Sequence, residues 1–213
     1  MSPGICCAYR TLVMMALIGV SLEGRSSEPG ISSDKGSSAQ PASGSLGEIR
    51  GSWITDGGQL FKFESLGGHP CVVAMFYASC EMTCPMTLQA LRDIESQLPA
   101  RGRENVRFIL VTLDPQNDTP KALKSYRRQQ GLANNRWILL QGSTDSVAQL
   151  AAMLGVSYGK DGFGRRSHST EISLFDKEGR VVLRQSDLNG DFHPMITYLR
   201  SQSERRTSSH DKN

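Results

Sequence analysis

The sequence lacks a strong excess of either charge. Its 24 lysines and arginines against 21 aspartates and glutamates leave a formal net charge of +3, and aromatic residues make up 7%. No basic face with interleaved aromatic residues is visible, which argues against nucleic acid as a partner. With 213 residues, of which 38% are hydrophobic, the chain is long enough for one globular domain with tails.

The apolar run near the N-terminus is too short to span a membrane comfortably, which needs about 20 residues. It covers residues 11–22 (TLVMMALIGVSL), follows Arg10 and has small residues near its end. This arrangement predicts an export signal over residues 1–22, with a short uncleaved anchor as the alternative. We expect a flexible linker over 23–46, a folded domain over 47–203 and a disordered tail over 204–213.

Cysteine is scarce, with five residues in the chain. Cys6 and Cys7 precede the apolar run, so removal of an export signal would leave Cys71, Cys80 and Cys84. An exported protein meets an oxidising compartment, in which two neighbouring thiols tend to form a disulfide unless they are kept reduced or bind a metal. We interpret Cys71, which begins an apolar strand, as an inert core thiol.

Apolar patterning predicts strands that alternate with helices. Strands are expected at 71–77, 106–113 and 137–140, and hairpins at 52–64 and 171–185. Helices are expected from Pro85, at 120–130, at 143–154 and at 192–202, with a glycine-rich loop at 158–167. This order predicts an α/β, thioredoxin-like fold, with a central mixed sheet flanked by helices and an N-terminal β-hairpin extension.

Cys80 and Cys84 lie between the first buried strand and the helix that follows it. Sites in α/β sheets form at the carboxyl ends of strands, and a helix N-terminus favours the thiolate. Because Pro85 disfavours helical geometry in the residue before it, we expect Cys84 just outside the helix. Both thiols should then be partly exposed and easily ionised. The pair could hold a soft metal such as Cu(I), form a redox-active disulfide, or be merely structural.

A metal site would need a third ligand, and the chain has four histidines. His210 lies in the predicted tail, His69 at the opposite end of the strand, and His193 at the start of the last helix. His168, at the end of the glycine-rich loop, has a modest advantage by position alone.

Other polar residues and sulfurs near the pair have simpler interpretations. Asp114 and Asp118 follow the second strand, where turn formation and helix capping explain them. Met82 and Met86 flank the cysteines, and we expect them to pack or to lie exposed at the rim.

Three segments resemble the signatures of the Sco/SenC family of thioredoxin-like copper proteins. They are FYASCEMTCP around the cysteines, VTLDPQNDTPKALKSY after the second strand, and SHSTEISLFDKEG around His168. They occur in the order of the family, and the resemblance covers residues 47–202. Cys-x-x-x-Cys-Pro alone is moderately specific, whereas the three segments together are strong.

The resemblance implies that Cys80, Cys84 and His168 bind copper as Cu(I), Cu(II) or both. It implies a metallochaperone that assists assembly of the copper centre of cytochrome c oxidase. The expected partners are the copper-bearing subunit of the oxidase or another copper chaperone. The expected location is the periplasm or the outer face of the inner membrane, close to a membrane through the partner or the N-terminal segment.

An exported thiol–disulfide oxidoreductase that uses Cys80 and Cys84 is the alternative, and it does not need His168. One departure from the family bears on copper affinity. Members often carry an acidic residue directly before the histidine, where this chain has Ser167, so an acceptor that would orient the imidazole is missing at that position.

Overall fold

A computed structural model describes residues 44–80, 83–132, 135–160 and 166–210 of the chain. The predicted signal and nearly all of the predicted linker lie outside these residues, as does Met82, so those predictions stay open. Among the described residues, no helix is both long and apolar enough to cross a membrane.

The described residues form nine strands and five α-helices. The strands are β1 (Trp53–Thr55), β2 (Leu60–Phe61), β3 (Cys71–Phe76), β4 (Arg107–Thr112), β5 (Trp137–Gly142), β6 (Tyr158–Lys160), β7 (Arg166–His168), β8 (Ile172–Phe175) and β9 (Val181–Gln185). The helices are α1 (Thr83–Ser96), α2 (Ala100–Arg103), α3 (Pro120–Gln129), α4 (Thr144–Leu154) and α5 (His193–His210).

Seven of the strands form one sheet in the order β2-β1-β5-β4-β3-β8-β9. Strands β3, β4 and β5 are parallel, whereas β1 pairs antiparallel with β5, and β8 pairs antiparallel with β3. The predicted mixed sheet is therefore present, and the N-terminal hairpin β1–β2 extends one edge of it. Parallel strands bring their carboxyl ends to the same edge of the sheet, which is where β3 delivers the cysteine loop.

The core holds the sheet and α1 together. All six residues of β3 are buried, as expected for a central strand covered on both faces. Leu88, Leu91 and Ile94 of α1 are at most 2% exposed, and burial of such a side chain contributes about 1.5–3 kcal/mol. This packing fixes α1, and with it the first turn that carries Cys84, against the sheet.

Two of the predicted helix starts match the structure closely. The Thr119 side chain accepts from the backbone N–H of Ala122 at the start of α3, and that of Ser143 accepts from Ser146 at the start of α4. Gly155 ends α4 with a φ of 75°, the left-handed conformation that glycine adopts without a Cβ penalty.

The start of α1 differs from the prediction. The helix begins at Thr83, so Cys84 lies within its first turn and Pro85 is its third residue. Proline is tolerated there because the first four N–H groups of a helix have no intrahelical acceptor. Cys84 is therefore held by helical backbone and not by a loop.

Two other segments also differ from the prediction. The expected loop at 158–167 contains strands β6 and β7, which pair as a separate two-stranded ribbon and place His168 at the end of a strand. Without alternating apolar residues, such a short polar hairpin leaves little trace in sequence. Helix α5 runs to His210, past the predicted end at residue 202, because no glycine or proline interrupts it there.

Candidate metal centre

Three side chains from separate elements meet at the carboxyl end of β3. Cys80 follows β3, Cys84 lies in the first turn of α1, and His168 ends β7. Their ligand atoms, the two sulfurs and one imidazole nitrogen, all lie within 4.8 Å of one another. The structure thus brings together the three residues that the sequence singled out, although 84 residues separate Cys84 from His168.

Cys84 forms the buried side of this cluster. It is 2% exposed, and its Sγ accepts from the backbone N–H of Tyr77 at 3.3 Å. His168 Nε2 lies 3.4 Å from the same sulfur. Cys80 is partly exposed, and its Sγ accepts from the backbone N–H of Cys84 at 3.5 Å. One sulfur therefore faces the interior, and the other faces a surface that a partner could reach.

The imidazole of His168 is oriented by a backbone carbonyl. Its Nδ1 lies 2.9 Å from the carbonyl oxygen of Ser169, and since a carbonyl only accepts, Nδ1 donates. In the neutral ring, the lone pair then resides on Nε2, which faces Cys84. Ser167 is exposed, so the oxygen of Ser169 supplies the orienting acceptor that the sequence lacked at position 167.

The ring of Tyr77 adds a second constraint on the same histidine. Tyr77 is buried, and its ring meets the imidazole of His168 edge to face, with centroids 5.4 Å apart. Tyr77 thus contacts Cys84 through its backbone and His168 through its ring. Tyr77 was predicted only as the end of a strand, and its position directly after β3, at the edge where sites form, was the available signal.

The electrostatics of Cys84 contradict the expectation of an easily ionised thiol. Burial raises the pKa of Cys84 above its ordinary value of 9.0, and the charges of Cys80 and Asp118 raise it further, while the Tyr77 N–H lowers it. Desolvation therefore outweighs the helix N-terminus. A metal ion that binds Cys84 would therefore have to displace its proton.

Helix capping was the role predicted for Asp118, but Thr119 is the N-cap residue of α3. The Oδ2 of Asp118 accepts instead from the backbone N–H of Ala78 at 2.9 Å and from the Thr112 hydroxyl at 2.5 Å. Asp114 stabilises a turn, as expected, by accepting from the side-chain amide of Asn117.

The remaining candidates lie elsewhere. His69 precedes β3 at its amino end, where its Nδ1 lies 2.9 Å from the carbonyl oxygen of Asn105. Cys71 is buried at the same end, and burial raises its pKa to about 12. His193 begins α5. Met86 is half-exposed and lines a groove between α1 and the start of α5.

The donor set suits a soft metal ion. Sulfur and imidazole nitrogen lie about 2.0–2.3 Å from a bound ion such as zinc, so donors less than about 5 Å apart can share one ion after small side-chain rotations. Thiolates select soft ions such as Cu(I), and imidazole also suits Cu(II). Among the residues that the structure describes, one group of side chains could hold a metal ion in this way, and it consists of Cys80, Cys84 and His168.

Comparison with known proteins supports the resemblance seen in the motifs. The family model described as SCO1/SenC matches residues 50–201. A protein of Stutzerimonas stutzeri, provisionally named as copper-binding, is 31% identical over 127 residues, which are 58% of this chain and 61% of the relative. The SCO1 protein homolog of Bacillus subtilis is 27% identical over 62% of this chain and 68% of its own length. The alignments thus span about two thirds or less of these relatives.

Solved structures confirm the thioredoxin-like fold. Copper-bound ScoI of Bradyrhizobium japonicum has a TM-score of 0.59 and 21% identity, with 77% of this chain and 98% of that chain covered. BsSco, described as a member of the Sco family of cytochrome c oxidase assembly proteins, has a TM-score of 0.64 and 23% identity, with 78% and 98% covered.

Proposed function

We propose that this chain, which belongs to the SCO1/SenC family, binds copper through Cys80, Cys84 and His168. Copper is then the cargo of a metallochaperone that assists assembly of the copper centre of cytochrome c oxidase. The observation that carries the proposal is the convergence of two sulfurs and an imidazole nitrogen within 4.8 Å. The relatives support it, since one is copper-bound and another is described as a cytochrome c oxidase assembly protein.

Each residue has a distinct part in this proposal. Cys84 anchors the ion on the buried side, where the Tyr77 N–H stabilises its thiolate. His168 presents Nε2 because the Ser169 carbonyl holds Nδ1. Cys80, which is partly exposed, lies where an incoming donor from a partner can replace it. Cys80 and His168 are both partly exposed and only Cys84 is buried, an arrangement that suits transfer better than permanent storage.

The proposal extends to the partner of the protein and to its location. A partner that receives copper must bring its own donor atoms to Cys80, so we propose the copper-bearing subunit of the oxidase or another copper chaperone. We further propose that the domain works outside the cytoplasm, in the periplasm or at the outer face of the inner membrane. This location rests on the predicted export signal and linker.

An anaerobic titration of the reduced protein with Cu(I) tests the proposal. We expect the wild type to bind one ion tightly, and Cys80→Ala, Cys84→Ala and His168→Ala to bind it much more weakly. His193→Ala and Cys71→Ala are the matched controls, because they remove a histidine and a cysteine outside the cluster. Equal, weak binding by the wild type and all variants would show that the proposal is wrong.

The second candidate is a thiol–disulfide oxidoreductase, favoured by the unequal exposure of Cys80 and Cys84. The Cys80 thiolate would attack a partner disulfide, form a mixed disulfide and release one partner thiol. Cys84, after losing its proton, would then attack the Cys80 sulfur and release the second thiol, so that two electrons pass to the partner. In that case His168→Ala should leave the exchange rate nearly unchanged while Cys80→Ala abolishes it.

A further inference from the structure

The buried carboxylate of Asp118 contacts the loop that carries Cys80. Asp118 is 4% exposed and lies just before α3, on the neighbouring strand-to-helix connection. Its Oδ2 accepts from the Ala78 N–H at 2.9 Å and from the Thr112 hydroxyl at 2.5 Å. Thr112 ends β4, and its own oxygen accepts from the Asp114 N–H. A chain of hydrogen bonds therefore links the end of β4 to the loop after β3.

The loop after β3 is held at two successive backbone groups. The Tyr77 N–H donates to Cys84 Sγ, and the Ala78 N–H donates to Asp118. The Cys80 N–H then donates to the Tyr77 carbonyl at 3.1 Å and closes the turn. Cys80 lies only two residues beyond Ala78, so a shift of Ala78 moves the Cys80 sulfur relative to Cys84.

We propose that Asp118 is a positioning residue of the dithiol site. By holding Ala78, it keeps Cys80 at the spacing from Cys84 at which the two sulfurs share one ion or close one disulfide. The inference deepens the proposed function and rests on the same site. It differs from capping or turn formation, since the Ala78 N–H and the Thr112 hydroxyl, which donate to Oδ2, lie outside α3 and its preceding turn.

Three substitutions separate positioning from charge. Asp118→Asn keeps an oxygen that can accept from Ala78 but removes the charge. Asp118→Glu keeps the charge but displaces the carboxylate by one methylene, and Asp118→Ala removes both. Asp176→Ala is the matched control. Asp176 is also buried and also accepts from backbone N–H groups, but it lies in the β8–β9 turn, beside the amino end of β3.

Copper affinity is the first readout. We expect Asp118→Ala and Asp118→Glu to lose roughly 10–100-fold, the usual cost of disturbing a residue that orients a metal ligand. Asp118→Asn should stay within about threefold of the wild type, because it keeps the hydrogen bond, and Asp176→Ala should bind normally. Wild-type affinity in the Ala and Glu variants, or an equal loss in Asn and Ala, would overturn the inference. If Asp118→Ala fails to fold, the contrast between Asn and Glu decides.

The second readout does not need copper. In a glutathione buffer, the Cys80–Cys84 dithiol and one oxidised glutathione give the protein disulfide and two reduced glutathiones. We expect the equilibrium to shift about tenfold toward the dithiol in the Ala and Glu variants and to stay unchanged in Asn. If the wild type binds no copper, the proposed function fails, and this equilibrium still decides the role of Asp118. An equal dithiol–disulfide equilibrium in all variants would overturn the positioning role of Asp118.

Discussion

A cysteine and a histidine lie near each end of strand β3, but their sulfur and nitrogen atoms have different partners at the two ends. At the amino end, the Cys71 thiol donates to the carbonyl of His69, and His69 Nδ1 faces the carbonyl of Asn105. At the carboxyl end, Cys84 Sγ lies 3.4 Å from His168 Nε2, with Cys80 beside them.

Residue type alone therefore does not bring sulfur and imidazole donors together. At the amino end, a carbonyl two residues away accepts from the Cys71 thiol, and a carbonyl just before β4 faces one nitrogen of His69. The carboxyl end collects its donors from three elements, and the strand keeps the two ends about 20 Å apart, given about 3.3 Å per residue.

The largest expected difference in copper affinity is between two variants in which serine replaces the cysteine at one end or at the other. We expect Cys84→Ser to lower Cu(I) affinity more than about 100-fold, since even an orienting neighbour of a ligand is worth 10–100-fold. Cys71→Ser should keep the affinity of the wild type and lower only the stability. Competition against a calibrated Cu(I) chelator measures both. Comparable losses at the two ends would contradict the assignment of the site to one of them.

Alkaline pH should destabilise the protein without copper through both buried thiols. Burial raises the pKa of Cys71 to about 12, above its ordinary value of 9.0, and also raises that of Cys84. The stability that the protonated thiols confer is complete below about pH 9 and is lost as pH rises toward the folded-state values.

The free energy of unfolding should fall by at most about 1.4 kcal/mol per pH unit for each thiol. Denaturant titrations between pH 8 and pH 11 measure it, with Cys71→Ala as the variant. Above pH 9, the free energy of unfolding of that variant should fall less steeply with pH than that of the wild type. An identical slope would mean that Cys71 ionises normally in the folded protein.

Tyr77 should matter through its ring and not through its hydroxyl. We expect Tyr77→Leu to weaken copper binding roughly tenfold, because the edge contact that orients His168 is lost. Tyr77→Phe keeps the ring and should bind like the wild type. The Cu(II)–thiolate absorption band offers a second measurement, which should change in the Leu variant alone. A stronger effect of Phe than of Leu would reverse this assignment.

The smallest effect should follow from restoring an acidic residue before the histidine. The Ser169 carbonyl already accepts from His168 Nδ1, and Ser167 is exposed. We therefore expect Ser167→Asp to change Cu(I) affinity by less than about threefold, as for a screened surface charge. Isothermal titration at low and high salt checks this. A gain of tenfold or more would show that the carbonyl does not replace the acid.

Much of this architecture could be predicted from the chain because its signals are local. The continuous apolar runs predicted β3 and β4, and the helices expected at 120–130 and 143–154 match α3 and α4 closely. The polar ribbon β6–β7 could not be predicted, because its pairing depends on partners and not on apolar alternation. The limits of the signal, linker, domain and tail stay predictions, although α5 extends into the predicted tail.

The local chain was enough to predict Cys80 and Cys84 at the end of a buried strand and the start of a helix, because spacing and periodicity depend on neighbouring residues alone. Position gave His168 a modest advantage over the other histidines, and the motif resemblance then singled it out. The tertiary structure was needed to show that the imidazole faces Cys84, that the carbonyl of Ser169 orients the imidazole, and that Asp118 holds the cysteine loop. It also reversed the expected acidity of Cys84, because desolvation depends on what the folded chain packs around a thiol.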